Sequence, residues 1–377
     1  MTAHRPTIAK IDLDNLAFNS HASRQFIGDE IKQMAVVKAN AYGHGAVECS
    51  RRLELEGIDW LAVALPEEGF ELREAGIQTP ILCLGSFWSG QEEFLIEHDI
   101  TPVVYQLDHA RSLNAAASKK QIIFDVHVKI DTGMGRIGVR FDEVKEFSAC
   151  LKEFRNLRVD GLMTHFAAAD DLAQNDFTDA QVSRFYDSAD VFRNEGFEPT
   201  FIDLANSPGA VAHPNSRGNL VRLGGILYGL GGDVLPAGVD KPELKPVLSL
   251  TSAIAHIKKV SAGETLGYGR TFTTTRDSVI ATIPIGYYDG YRRGLSNRAN
   301  VIIKGALAPV VGRVSMDWSL VDVTEITDAA IGNEVLLIGQ QNDLEIRAED
   351  LASILETISY EITCGISRRV ERQYTSS

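Results

Sequence analysis

Hydrophobic residues in the first two thirds of the chain come in short runs, each followed by a longer stretch with helical spacing. The runs fall at residues 34–37, 60–64, 81–84, 102–105, 122–130, 159–163, 200–204 and 220–223. Helical stretches lie between them near 46–56, 66–75, 90–97, 107–118, 141–154 and 178–194. Short apolar runs alternating with amphipathic segments indicate a parallel sheet, and eight is the number that closes a (β/α)8 barrel. No G-x-G-x-x-G follows the first run, which speaks against an open doubly wound sheet. Ahead of the barrel, Ile8, Ile11 and Leu13 alternate with polar residues and predict an extended arm. Asp14 is the expected cap of a helix reaching about residue 27.

The texture changes at residues 232–246, where glycines and prolines cluster into a linker. Beyond it, apolar runs at 247–260, 279–285, 301–303, 308–311, 320–323 and 334–338 are punctuated like an antiparallel β domain, before a last helix at 348–358. The predicted fold is therefore α/β: an N-terminal (β/α)8 TIM barrel over residues 1–240, then a mainly antiparallel β domain over residues 241–377. A chain of 377 residues suits two such domains better than one core.

Composition narrows the function. A net charge of −14, with no basic run to neutralise phosphates, argues against a nucleic-acid partner. No apolar run reaches membrane-spanning length. The opening Met-Thr-Ala-His-Arg-Pro lacks the apolar core of a secretory signal. The four cysteines, Cys49, Cys83, Cys150 and Cys364, form no C-x-x-C pair. Together these point to a cytoplasmic protein with no disulfide framework and no metal site.

Candidate chemistry gathers where strands end. Lys38 follows the run at 34–37 and opens a small, glycine-bearing loop, where a lysine either holds an aldehyde cofactor or snorkels to solvent. In the fifth run, Phe124, Val126, Val128 and Ile130 alternate with Asp125, His127 and Lys129. Three ionisable groups turned into a barrel are costly unless paired or used. Arg136, in the glycine-hinged loop that follows, is suited to gripping a carboxylate. His165 ends the sixth run, and Asn206 with Ser207 follows the seventh. Asp203, just before them, is placed to pair with a cation. Arg222, Gly224 and Gly225 end the eighth run, where the glycines read equally as a tight turn or as a phosphate cradle. In the β domain, Tyr268 stands between two glycines, the common setting of a hairpin ring that covers a core edge.

The segments AVVKANAYGHG, KIDTGMGRIG, Asn206-Ser207, Val221-Arg222 with its glycines, GYGRT, PIGYYDG, GRVSMD and SYEITCGISRRV, in this order, resemble the alanine racemases, from about Thr7 to Arg372. That family pairs a pyridoxal-phosphate barrel with a β domain and works as a homodimer with shared active sites. The resemblance implies that Lys38 holds pyridoxal 5′-phosphate as an imine and is the base on the D-face. Tyr268 of the other subunit would be the base on the L-face. Tyr42, Ser207, Gly224, Gly225 and Tyr360 would hold the phosphate, with Asn206 beside them, and Arg222 would face the pyridine nitrogen. His165 would belong to the network behind the tyrosine. Arg136 and the backbone of Met316 would bind the substrate carboxylate, and Tyr287 and Asp317 would flank the substrate's way in. Lys129 matches a lysine that many relatives carry as a carbamate. Ser315 replaces a cysteine of other members, Asp203 a histidine of some, and Gly225 a bulkier residue.

Inversion needs a base on each face of the substrate. A free lysine near pKa 10.4 is neutral in only roughly one copy in 2,500 at pH 7, so burial and cations such as Arg136 and Arg222 must lower it. Arg222 cannot act as an acid towards the ring nitrogen, which disfavours the decarboxylation chemistry of related barrels. The expected activity is interconversion of L- and D-alanine, supplying D-alanine for peptidoglycan. Serine or broad-specificity racemisation is the alternative within that class. A non-catalytic pyridoxal-phosphate carrier built on a single barrel is the alternative outside it.

Overall fold

The structure, a computed structural model, describes residues 5–85 and 87–376. Residues 1–4, which carry most of the reading of the N-terminus, lie outside the described residues, as do Ser86 and Ser377.

Eight parallel strands close a barrel: β2 (Lys32–Val36), β3 (Trp60–Val63), β4 (Ile81–Cys83), β5 (Ile100–Val104), β6 (Phe124–Asp131), β8 (Leu157–Met163), β9 (Phe201–Asp203) and β10 (Leu220–Leu223). β10 pairs with β2 and β5 with β6, so no edge is left. A two-residue strand, β7 (Val139–Arg140), hangs on the end of β6 outside the ring. The barrel interior is packed by Met34, Val36, Trp60, Ala62, Leu82, Val103, Met163, Phe201 and Leu220.

The inward residues of β6 take three different courses. Asp125 lies at the amino end of the strand, half exposed, in a two-pronged pair with Arg158 at 2.6 Å. His127 is fully buried among Trp60 and Phe201, and burial pushes its pKa down to about 3, so it is a neutral ring in an apolar layer. Gly161 makes room for it, since a methyl there would stand 2.5 Å from the imidazole. Only Lys129, at the carboxyl end, reaches the mouth.

The first strand does not form a loose arm. β1 (Ile8–Asp12) sits inside the sheet of the second domain, antiparallel to Leu248–Ala253 and parallel to Glu371–Thr375. That sheet continues through Glu334–Gln341 and Asn300–Ile303 to Ala306–Pro309. Asp12, not Asp14, caps the following helix, Leu13–Ile27, by accepting from the Asn15 N–H at 2.9 Å. The run predicted at 247–260 breaks into two strands, Leu248–Ala253 and His256–Val260, in different sheets. The second of these pairs with Ser278–Ile283, which pairs with Ser319–Asp322. A small hairpin of Thr265–Leu266 and Phe272–Thr273 carries Tyr268 at its tip. A single barrel without a second domain does not describe this chain. Among the described residues, no helix is long and apolar enough to cross a membrane.

Candidate active site

The loop after β2 is more constrained than its small residues suggest. Ala39, Asn40, Ala41 and Tyr42 all have φ between 53° and 55°, which makes residues 39–42 one left-handed turn. Gly43 and Gly45 let this turn press against the second domain. A methyl on Gly43 would stand 2.1 Å from the Thr363 carbonyl, and one on Gly45 would stand 1.9 Å from the Tyr374 hydroxyl. The turn sets Lys38 and Tyr42 at the barrel mouth.

Lys38, Tyr42, Arg136, His165, Asn206, Ser207, Arg222, Gly224 and Tyr360 come together around one pocket of about 450 Å³, within the range of small-molecule sites. Gly225 lies just past the rim, where a methyl would meet the Tyr360 hydroxyl at 2.6 Å. One on Gly224 would meet the Tyr42 hydroxyl at 2.7 Å. Ser207 Oγ accepts from the Gly224 N–H at 2.9 Å, and Asn206 caps the short helix Ser207–Ala212 through the Gly209 N–H. The two glycines, left open as turn or cradle, thus lie under two phenols and a hydroxyl. Burial raises the pKa values of Tyr42 and Tyr360, which keeps both as neutral O–H donors suited to an anion.

Arg136 rides on a loop that Asp131 shapes by accepting from the N–H groups of Gly133 and Gly135, each at 3.0 Å. Thr132 anchors the same loop to Thr164 at 2.8 Å and to Gln181 at 3.0 Å. Arg222 is buried. Its Nη1 donates to Asp203 Oδ1, and its Nη2 to the carbonyls of Thr164 at 2.7 Å and Leu204 at 3.1 Å. Nη2 also reaches His165 Nδ1 at 3.3 Å. Guanidinium only donates, so Nδ1 is the bare nitrogen and the His165 proton sits on Nε2. Burial and then Arg222 hold the His165 pKa well below its ordinary value.

The mouth is crowded with cations, and their pKa values follow. Burial first, then Arg136 and Arg222, lowers Lys38. Burial, Arg222 and Arg136 bring Lys129 down to about 7. Asp203, fully buried in line with Lys129 across β8, stands as a carboxylate among them. Burial pushes its carboxyl up while Arg222 pulls it back.

Besides Gly225 at the rim and Lys129, buried beneath it, four residues expected at the site do not line this pocket: Tyr268, Met316, Tyr287 and Asp317. These last four lie on the β domain. Tyr268 leaves 73% of its surface open and covers no core edge. Met316 and Tyr287 are exposed, and Asp317 pairs with Arg369 at 2.7 Å. Conversely, Glu68, Asp170, Tyr228, Asp233 and Cys364 belong to the site or its supports without having been singled out for it. Glu68 accepts from the N–H groups of Ala39, Ala64 and Leu65. Asp233 holds Ser359, next to Tyr360, through its N–H and its hydroxyl. Asp170 and Cys364 line the pocket. Only Cys364 carried a signal, its place within the segment around Tyr360.

Comparison with known proteins agrees with this geometry. The model of the alanine racemase N-terminal domain matches residues 11–231, and that of the C-terminal domain matches residues 247–374. An alanine racemase of Halothermothrix orenii is 43% identical over 372 residues, covering 98% of this chain and 97% of that one. A solved alanine racemase of Clostridium difficile superposes with a TM-score of 0.93 at 40% identity, covering 100% of this chain and 96% of that one. The alanine racemase of Bartonella henselae, solved with covalently bound pyridoxal phosphate, superposes with a TM-score of 0.88 at 29% identity, covering 98% and 99%. This chain, with its closed barrel, its second β domain and the pocket between them, belongs to the alanine racemase family.

Proposed function

We propose that the protein interconverts L-alanine and D-alanine in the cytoplasm with pyridoxal 5′-phosphate, supplying D-alanine for peptidoglycan. In this reading residues 1–240 bind the cofactor and residues 241–377 carry the second base. The observation that supports it most is the convergence of Lys38 with the Tyr42–Tyr360–Ser207 cradle and Arg222 on one pocket. The donor set fits the cofactor: an amine for its aldehyde, neutral hydroxyls beside two glycines without side chains for its phosphate, and a guanidinium for its ring nitrogen. The contacts of Arg222 named above use its two terminal nitrogens and none uses Nε. When bound, pyridoxal phosphate delocalises the charge that remains on the α-carbon once its proton leaves.

The chain's own groups do the rest. Lys38 Nζ, with its lowered pKa, takes the α-proton of D-alanine and returns it on that face. Tyr268, exposed on its hairpin, serves the pocket of a second copy, so that Tyr268 of the partner subunit moves the proton on the L-face. Met316 travels with it in the homodimer and joins Arg136 on the substrate carboxylate, while Tyr287 and Asp317 border the approach. His165 Nε2–H faces the tyrosine, and Asp203 fixes Arg222 from behind. Lys129, brought down to about 7, has the neutral amine that a carbamate requires. A positioned acid–base group contributes about 10²–10⁴-fold, so loss of either base is severe.

Lys38→Ala should bind the cofactor without the visible absorbance of the lysine-linked form; an unchanged spectrum rejects the assignment. Tyr268→Phe should keep that absorbance and lose activity by about 10²-fold or more. Mixing the two inactive variants should restore turnover if sites are shared, whereas no recovery despite confirmed subunit exchange would count against sharing. Asp203→Asn leaves the buried guanidinium uncompensated and should lower stability by about 3–5 kcal/mol, measured by urea unfolding; a loss under about 1 kcal/mol would show that Asp203 is not its counter-ion.

A further inference from the structure

Four consecutive non-glycine residues in the left-handed region cost about 1–2 kcal/mol each, or about 4–8 kcal/mol for the turn at residues 39–42. The turn's own bonds are Ala41 N–H to Val37 O at 2.8 Å, Gly43 N–H shared between Ala39 O and Asn40 O at 3.0 Å, His44 N–H to Ala41 O at 3.0 Å, Gly45 N–H to Asn40 O at 2.9 Å, and Ala46 N–H to Asn40 Oδ1 at 2.9 Å. At a net contribution of about 1 kcal/mol each they reach only the lower part of that cost. Groups outside the turn add to them. Glu68 fixes its first amide, at Ala39, and Arg372 Nε donates to the Gly43 carbonyl just beyond it at 3.1 Å.

The last two left-handed residues are held by one side chain. His44 Nδ1 stands 2.9 Å from the Ala41 carbonyl and 3.1 Å from the Tyr42 carbonyl. Both partners only accept, so Nδ1 carries the proton. The ring is fully buried and stacks on Tyr228 with centroids 4.6 Å apart. Tyr228 in turn donates its hydroxyl to the Val36 carbonyl at 2.9 Å, two residues before Lys38, and its ring lies 5.2 Å from that of Tyr42. One stacked pair therefore grips both ends of the segment 36–42. Burial also holds the His44 pKa down to about 4, so the neutral ring persists through the working pH range.

We propose that His44 is the positioning residue for Lys38: its Nδ1–H clamps the carbonyls of Ala41 and Tyr42, keeps the turn left-handed, and thereby fixes where the Lys38 amine and the Tyr42 hydroxyl stand. Tyr228 is its backing. This rests on the reading of Lys38 as the cofactor-bearing base. The test keeps the two claims apart by reading the turn without reference to turnover.

In the holoenzyme, His44→Leu removes the donor and His44→Asn restores one, because an asparagine Nδ2 can stand near the place of the imidazole Nδ1. Deuterium exchange of the amides at 41–45 should speed up about tenfold or more in His44→Leu, with protection in Leu248–Ala253 and Glu334–Gln341 unchanged. Its kcat for L-alanine should fall about tenfold or more while KM moves less than about threefold, and His44→Asn should recover most of both losses. Should His44→Leu not fold, Tyr228→Phe, which deletes only the bond to Val36, should show the same local exchange at about threefold or more. Unchanged exchange at 41–45, an Asn variant no better than the Leu variant, or a loss confined to KM overturns the proposal. A wild-type protein with a well-protected turn and no racemisation would instead overturn the proposed function.

Discussion

The placement of one amine depends on a stretch of backbone that L-residues avoid. Right-handed geometry after β2 would carry Tyr42 and Gly43 elsewhere, and the contact with Thr363 of the second domain would be lost. The turn is held from several sides at once: by Glu68 in the barrel, by Arg372 from the last strand, and by the His44–Tyr228 stack behind it. Strain of this kind persists only where the surroundings over-determine it. Here those surroundings come from both domains, which gives the β domain a part in the site even within one chain.

Electrostatics supplies the second constraint. Lys38, Lys129, Arg136 and Arg222 crowd the mouth, and each lysine's charged form is disfavoured by burial and by the guanidinium groups near it. That is the condition under which an amine can take a proton near neutral pH. Asp203 keeps the cluster from being wholly cationic. It holds Arg222 on its inner side, and the Thr164 and Leu204 carbonyls share the remaining terminal nitrogen with His165 Nδ1. A histidine at this position could accept only one such bond and would carry no negative charge when neutral. Asp203 therefore gives Arg222 a fixed counter-charge that is independent of any bound group.

Much of this was legible in the chain itself. Eight apolar runs with helical spacers become eight barrel strands because parallel strands bury both faces and leave a periodic signature. Lys38, Arg136, Ser207 and Arg222 were visible because each ends a run or rides the loop beyond it. What sequence could not carry was long-range. β1 looks like an arm until Leu248–Ala253 and Glu371–Thr375 flank it. Asp125 and Lys129 share one alternating pattern, yet only Lys129 lies at the mouth end of the strand. The left-handed turn has no local signature beyond Asn40 and its glycines, since Ala39, Ala41 and Tyr42 disfavour it. Its cause is tertiary, as are the roles of Glu68 and Tyr228. The separation of Tyr268 and Met316 from the pocket of their own chain is a fact of topology that no spacing encodes.

The central claim is that Lys38 serves one face of the substrate alone. In deuterium oxide, Tyr268→Phe should wash solvent label into the α-position of D-alanine with retention, while L-alanine stays unlabelled and little of either is converted. Label entering L-alanine as fast as D-alanine in that variant, or entering neither, would contradict it.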